Sequence, residues 1–169
     1  KKDSTVDILD NLVQKLDSNQ YLPKAQQFAV ELQAQFGRTS PLSFALLTYA
    51  IMKNLPAKLQ HAKAKLSLWG GEGLVGAQGQ QNRKKRAVEV TTALVEHDHV
   101  RVEPEHLEWF RALKKKDDAA DSFLTAFIAG HKMLEKSDTP VRVAGFDVGL
   151  KTMSMCIMDM APIVEDNPT

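Results

Sequence analysis

Residues 141–160 read VRVAGFDVGLKTMSMCIMDM. The first part is an apolar run with β-branched residues that stops at Asp147, Val148 and Gly149, and a second apolar run follows almost at once. The pattern predicts two strands joined by a short turn, with an acid at the end of the first. Val143, Phe146 and Val148 around Asp147 are apolar. An ionised carboxylate buried without a partner costs several kcal/mol. One such acid suggests an exposed face or an edge, and two suggest a shared counter-ion.

Working outward, residues 137–140 are polar and separate these strands from a strongly periodic segment, 117–135, in which Ala120, Phe123, Leu124, Phe127, Ile128 and Leu134 form one stripe. That spacing predicts a helix with a buried face. A second acid in an apolar strand occurs far upstream: Glu31 within Gln27–Leu32, QFAVEL, bounded by Pro23 and Gly37. Residues 5–16 place Val6, Leu9, Leu12, Val13 and Leu16 at helical spacing, with Ser4 or Asp3 as N-cap. Residues 42–54 are apolar almost all round, which predicts a helix burying more than one face and able to meet a second subunit. Residues 66–69 read as a further strand, 70–82 (GGEGLVGAQGQQN) as a loop, 84–96 as a helix, and 103–113 as a shorter helix after Pro104.

The chain has 169 residues, 43% of them apolar, enough for one domain with a real core and too few for two ordinary ones. A single cysteine, Cys156, excludes an internal disulfide framework and a multi-cysteine zinc site; its apolar strand suggests a small buried side chain and a reducing compartment. No stretch approaches the roughly 20 apolar residues of a membrane span, so no membrane is expected. The net charge of +1 does not point to nucleic acid, but the basic residues cluster at Arg83, Lys84, Lys85 and Arg86 and at Lys114, Lys115 and Lys116.

Asp118 and Asp121 are three residues apart and share one helix face, which Asp117 can join. Acids in a first turn are also favoured by the helix dipole, so this cluster alone reads more readily as a charged helix start than as a site. Asp147 and Glu31 change the weighing. Four carboxylates drawn from two strands and one helix are the ligand type that Mg²⁺ takes, and two such ions about 4 Å apart serve phosphodiester cleavage.

These residues carry a resemblance. FDVGLK at 146–151, VELQ at 30–33 with GRTSP at 37–41, NRKKRAVE at 82–89 and KKDDAADSFL at 115–124 resemble the RuvC-type branch of the RNase H-like superfamily, most closely Holliday junction resolvases of the fungal mitochondrial and poxviral kind. The likeness spans most of the chain, but in altered order, because the segment that usually opens such a domain comes last. It implies an α/β fold, an RNase H-like mixed β-sheet flanked by helices, circularly permuted. Residues 137–169 would supply the strands that usually come first and 1–136 the remainder, with a weak third strand at 162–165 and the seam bringing Thr169 near Lys1. It further implies that Asp147, Glu31, Asp118 and Asp121 are catalytic metal ligands, with Asp117 a possible substitute for Asp118, and that two Mg²⁺ or Mn²⁺ ions are held. The implied partners are branched DNA, a four-way junction, and a second copy in a homodimer that nicks opposing strands symmetrically. A mitochondrion or other organelle, or a virus-infected cell, is the compartment it offers.

Arg83, Lys84, Lys85, Arg86, Lys114, Lys115 and Lys116 are then candidate phosphate contacts, as are Lys151 after the Asp147 turn and Arg38 beyond the Glu31 strand. Gln33 more simply finishes a strand. Phe36 and Leu74 could wedge into a junction, although packing is the commoner use of such residues. His61, His97, His99 and His131 lack metal-ligand spacing and read as structural, and the methionines from Met153 to Met160 read as core. Three rivals remain: the same fold acting on RNA–DNA hybrids or flaps, a junction-binding scaffold that does not cut, and an actin-like ATPase, for which the chain is too short.

Overall fold

The computed structural model describes residues 4–32, 40–66, 76–96, 100, 102–148 and 153–162. Among these, four strands form one sheet: β1 (Gln27–Leu32), β2 (Ala57–His61), β3 (Val141–Val148) and β4 (Met153–Met160), in the order β2-β1-β3-β4. β1 is parallel to β2 and to β3, whereas β3 and β4 form an antiparallel pair in which Asp147 lies opposite Ser154. Six helices accompany the described sheet: α1 (Thr5–Asp17), α2 (Ser40–Met52), α3 (Lys63–Leu66), α4 (Gly76–Glu96), α5 (Pro104–Ala112) and α6 (Asp117–Leu134). The architecture is α/β, a mixed sheet flanked by helices, and is compatible with an RNase H-like fold.

The two faces of the sheet follow from the two-residue period of a strand. Phe28 and Val30 on β1 and Ala144, Phe146 and Val148 on β3 face one way, meeting Leu16 of α1 and Leu46 and Ala50 of α2. The rings of Phe28 and Phe146 stack there at 4.1 Å. The intervening residues, Ala29, Val141 and Val143, face the other way against Ala126, Phe127 and Ala129 of α6. Continuing that alternation puts Glu31, two residues beyond Ala29, and Asp147, two beyond Gly145, on the α6 side.

Gly145 is what lets α6 come so close. A Cβ there would overlap the backbone nitrogen of Ala126 and stand 2.5 Å from the carbonyl oxygen of Ser122. With Ala29 beside Gly145 across the β1–β3 pairing, the helix rests nearly on the backbone of the central strands. α4 covers α6 from outside through Ala87, packed on Ala120 and Leu124.

Several expectations hold. Ser4 caps α1, its hydroxyl accepting from the Asp7 amide at 3.2 Å while Asp7 accepts from the Ser4 amide at 2.9 Å. The strand at Gln27–Leu32 and the helices at α5 and α6 also lie where periodicity puts them.

Others need correction. The further strand is β2, upstream of 66–69: Leu66 ends the single-turn helix α3, and residues 67–69 lie outside the described residues. β2 has only Gln60 fully buried, so its period is faint in the letters. The predicted loop at 70–82 is helical from Gly76 onward, because α4 gains its stability from packing on α6 and not from the polar composition of its first turns. α2 buries one face, not several: Ser43, Leu46 and Ala50 turn inward, while Phe44, Ile51 and Met52 are 57%, 69% and 77% exposed. The sheet can cover only one side of it. Cys156 is half-buried as a residue, yet its thiol lies inside, and burial pushes its pKa up to about 12. Among the described residues no helix is long and apolar enough to cross a membrane.

Candidate active site

At the end of the sheet where β1 and β3 finish, three carboxylates meet. Glu31 comes from β1, Asp147 from β3 and Asp121 from the second turn of α6, which descends onto that face. A residue that the sequence did not single out joins them. Lys65 of α3 donates from Nζ to Asp121 Oδ1 at 2.6 Å and to Glu31 Oε2. Its side chain is only 8% exposed, and those of Glu31 and Asp121 are 13% and 19% exposed. Burial opposes the lysine's charge, but the two carboxylates more than offset it and hold its pKa above the ordinary lysine value.

The carboxylates are less well served. Burial raises the pKa of Glu31 despite the ion pair with Lys65, and Asp121 adds to the rise. Asp147 is pushed from 3.8 up to about 7, first by burial and then by the charges of Glu31 and Asp121; Lys65 offsets only part of this, and Asp118 adds a smaller push. No described residue donates a hydrogen bond to the Asp147 carboxyl. Next to it, Ser122 of α6 and Ser154 of β4 share a hydrogen bond of 2.9 Å, tying the helix to the strand that faces Asp147.

The other two acids of α6 are engaged elsewhere. Lys84 of α4 donates to Asp117 Oδ2 at 2.6 Å, and Lys115 reaches Asp117 at 3.6 Å and Asp118 at 2.9 Å. Asp117 pays a desolvation cost, but Lys84 and then Lys115 hold its pKa below the usual carboxylate value. Of the predicted ligands, then, the structure gathers Glu31, Asp121 and Asp147, keeps Asp118 within electrostatic reach, and places Asp117 in a separate ion-pair group.

The same ion pairs revise the basic residues. The two clusters, remote in sequence, converge on Asp117 at the start of α6. Arg83 acts on Glu31, lowering its pKa slightly. Arg86 pairs with Glu89 at 3.1 Å and Lys85 lies 4.0 Å from the same acid. Lys116 sits 5.6 Å over the ring of Phe110, and Lys114 is exposed. Lys151, Arg38, Gln33, Phe36, Leu74, His97, His99, the 163–165 part of the weak third strand and the proposed seam of Thr169 with Lys1 lie outside the described residues. His131 packs edge-on against Phe127 at 4.4 Å, as a structural histidine would.

Comparison with protein-family models, curated proteins and solved structures finds no match.

Among the described residues no group of three or more His, Cys, Asp or Glu side chains is drawn together tightly enough to hold a metal ion. The donor set nevertheless fits a hard divalent cation in kind. It is all oxygen, it comes from separate rigid elements, and in Asp147 it holds a buried carboxyl with unmet demand for positive charge. The arrangement is that of an acid cluster closed around an ammonium. Lys65 escaped the sequence reading because nothing in HAKAKL, residues 61–66, distinguishes one lysine from its neighbour.

Proposed function

We propose that the chain is an RNase H-like domain in permuted order that acts as a metal-dependent, structure-selective DNA endonuclease resolving four-way junctions. The observation that carries this reading is Asp147. It ends a central strand beside Glu31, faces the helix bearing Asp121, and remains short of positive charge after Lys65 has been shared between the other two. Moving residues 137–169 ahead of residue 1 would put the β3–β4 hairpin first, followed by two strands parallel to its leading member, which suits the resemblance carried by FDVGLK, VELQ and KKDDAADSFL.

Asp147, Glu31 and Asp121 would hold Mg²⁺ or Mn²⁺, with Asp118 available once released from Lys115. A bound pair of such ions supplies an activated water and neutralises the leaving oxygen of a phosphodiester. The rest falls to the chain. Glu31 and Asp147 are carried by the sheet and Asp121 by the closely seated α6, so a bound ion would have to draw together only side chains whose backbones are already placed. The basic residues around the start of α6 flank this cluster and suit a sugar-phosphate backbone, a contact that carries no sequence information and weakens with salt. The exposed apolar side of α2 suits a second copy, giving a two-fold dimer for a two-fold substrate.

The test is cleavage of a labelled four-way junction, a matched duplex and an RNA–DNA hybrid in Mg²⁺, with Asp147→Asn and Glu31→Gln alongside. Paired nicks in the junction alone, lost by at least about a hundredfold in both variants, are expected. Cutting of the hybrid instead would move the substrate within the same chemistry. Tight junction binding with no cutting in Mg²⁺ or Mn²⁺ would mark a scaffold.

A further inference from the structure

We infer that Lys65 is a built-in counter-ion of the carboxylate cluster, and that a divalent cation binds only by displacing its ammonium, so that metal entry and withdrawal of Lys65 are one event. The inference rests on the reading of Glu31, Asp121 and Asp147 as the metal-binding acids. The geometry behind it is direct. Lys65 Nζ is hydrogen-bonded to two of those acids from two different elements, and its side chain is almost fully buried between them. An ammonium and a hard metal ion compete for the same lone pairs, and each repels the other at such short range.

Lys65 also neutralises the cluster incompletely: its ammonium is hydrogen-bonded to two of the three carboxylates, and Asp147 has no bond to it. A doubly charged ion able to reach all three would satisfy what Lys65 leaves. The carrier of the lysine, α3, is a single turn that follows β2 and is not itself part of the sheet. In the metal-free protein Lys65 keeps the acids from repelling one another apart. The apparent metal affinity is lowered by the fraction of molecules in which the lysine is seated, because only the remainder is competent to bind.

The full chain is titrated with Mn²⁺ by calorimetry at one fixed pH, as wild type, Lys65→Met and Lys65→Arg. Lys65→Met keeps a long unbranched side chain and removes the charge, and is expected to bind about tenfold tighter or more than wild type, whereas Lys65→Arg is not. Because Lys65→Met could lose its fold without metal, the wild type is also acetylated with and without saturating Mn²⁺ and read by mass spectrometry. Lys65 is expected to be protected in metal-free protein and to gain reactivity with Mn²⁺, while exposed Lys58 does not change. Unchanged or weaker Mn²⁺ binding by folded Lys65→Met, or a Lys65 that stays protected at saturation, overturns the inference and leaves a junction-cutting wild type unaffected. No Mn²⁺ binding by either protein at millimolar concentration overturns the metal-site reading, and this inference with it.

Discussion

Ionised Asp147 works against the fold. Its pKa stands at about 7 against 3.8 for an unburdened aspartate, so the folded chain holds this proton more tightly than the unfolded one. Below about pH 4 both states are protonated and the group costs nothing; as pH rises towards 7 the unfolded chain releases its proton first, and stability falls by about 4 kcal/mol in all. Asp147→Asn removes that slope. Urea denaturation in a chelator should find the variant little changed at pH 4 and clearly more stable than wild type at pH 8; under the proposed function it also loses junction cleavage. A variant that is less stable at pH 8 would mean that the carboxylate has a partner after all. Asp147 and Glu31 were legible as residues because an acid inside an apolar strand is anomalous on its face. Lys65 was not, since a lysine among lysines and alanines becomes special only when a helix and a strand close over it.

At the scale of elements, the site depends on how closely α6 approaches the sheet. The Gly145 position has no room for a methyl group, and what stands in the way is helix backbone, which cannot rotate aside. Gly145→Ala should cost about 1–3 kcal/mol of stability in chemical denaturation. By lifting the turn that carries Asp121 it should, under the proposed function, lower junction cleavage by more than the lost stability accounts for. A variant that is fully active and fully stable would show the helix free to shift. The strands β1 and β3 could be read because they are continuous apolar runs buried on both faces, and the helix α6 because it buries one regular stripe. β2 escaped because only one of its five residues is fully buried, and the start of α4 because tertiary packing overrides a Gly- and Gln-rich composition. The close seat of α6 was equally hidden: a glycine in a strand says that something approaches, not what.

For the molecule as a whole, Phe44, Ile51 and Met52 leave α2 with an apolar outer face, and the dimer implied by the proposed function would cover it. Phe44→Glu with Ile51→Lys should give a folded monomer by light scattering and lose paired cutting of a junction while retaining single nicks; a wild type that is itself monomeric at micromolar concentration would remove the dimer from the proposal. The order of the strands has a further effect. The sheet's two central members, β1 and β3, are joined across a separation of 116 residues between Gln26 and Arg142, and everything between them must wait. Helices α1 to α6 are translated before β3, on which α6 is seated, so the parallel pair of β1 and β2 lacks its central neighbour until residues 141–148 emerge. Closing so large a loop before it is rewarded by contacts makes for slow folding. The sheet should therefore be completed only after residues 141–148 have been made, and the unfinished form, with the edge of β1 open, is the species most exposed to aggregation.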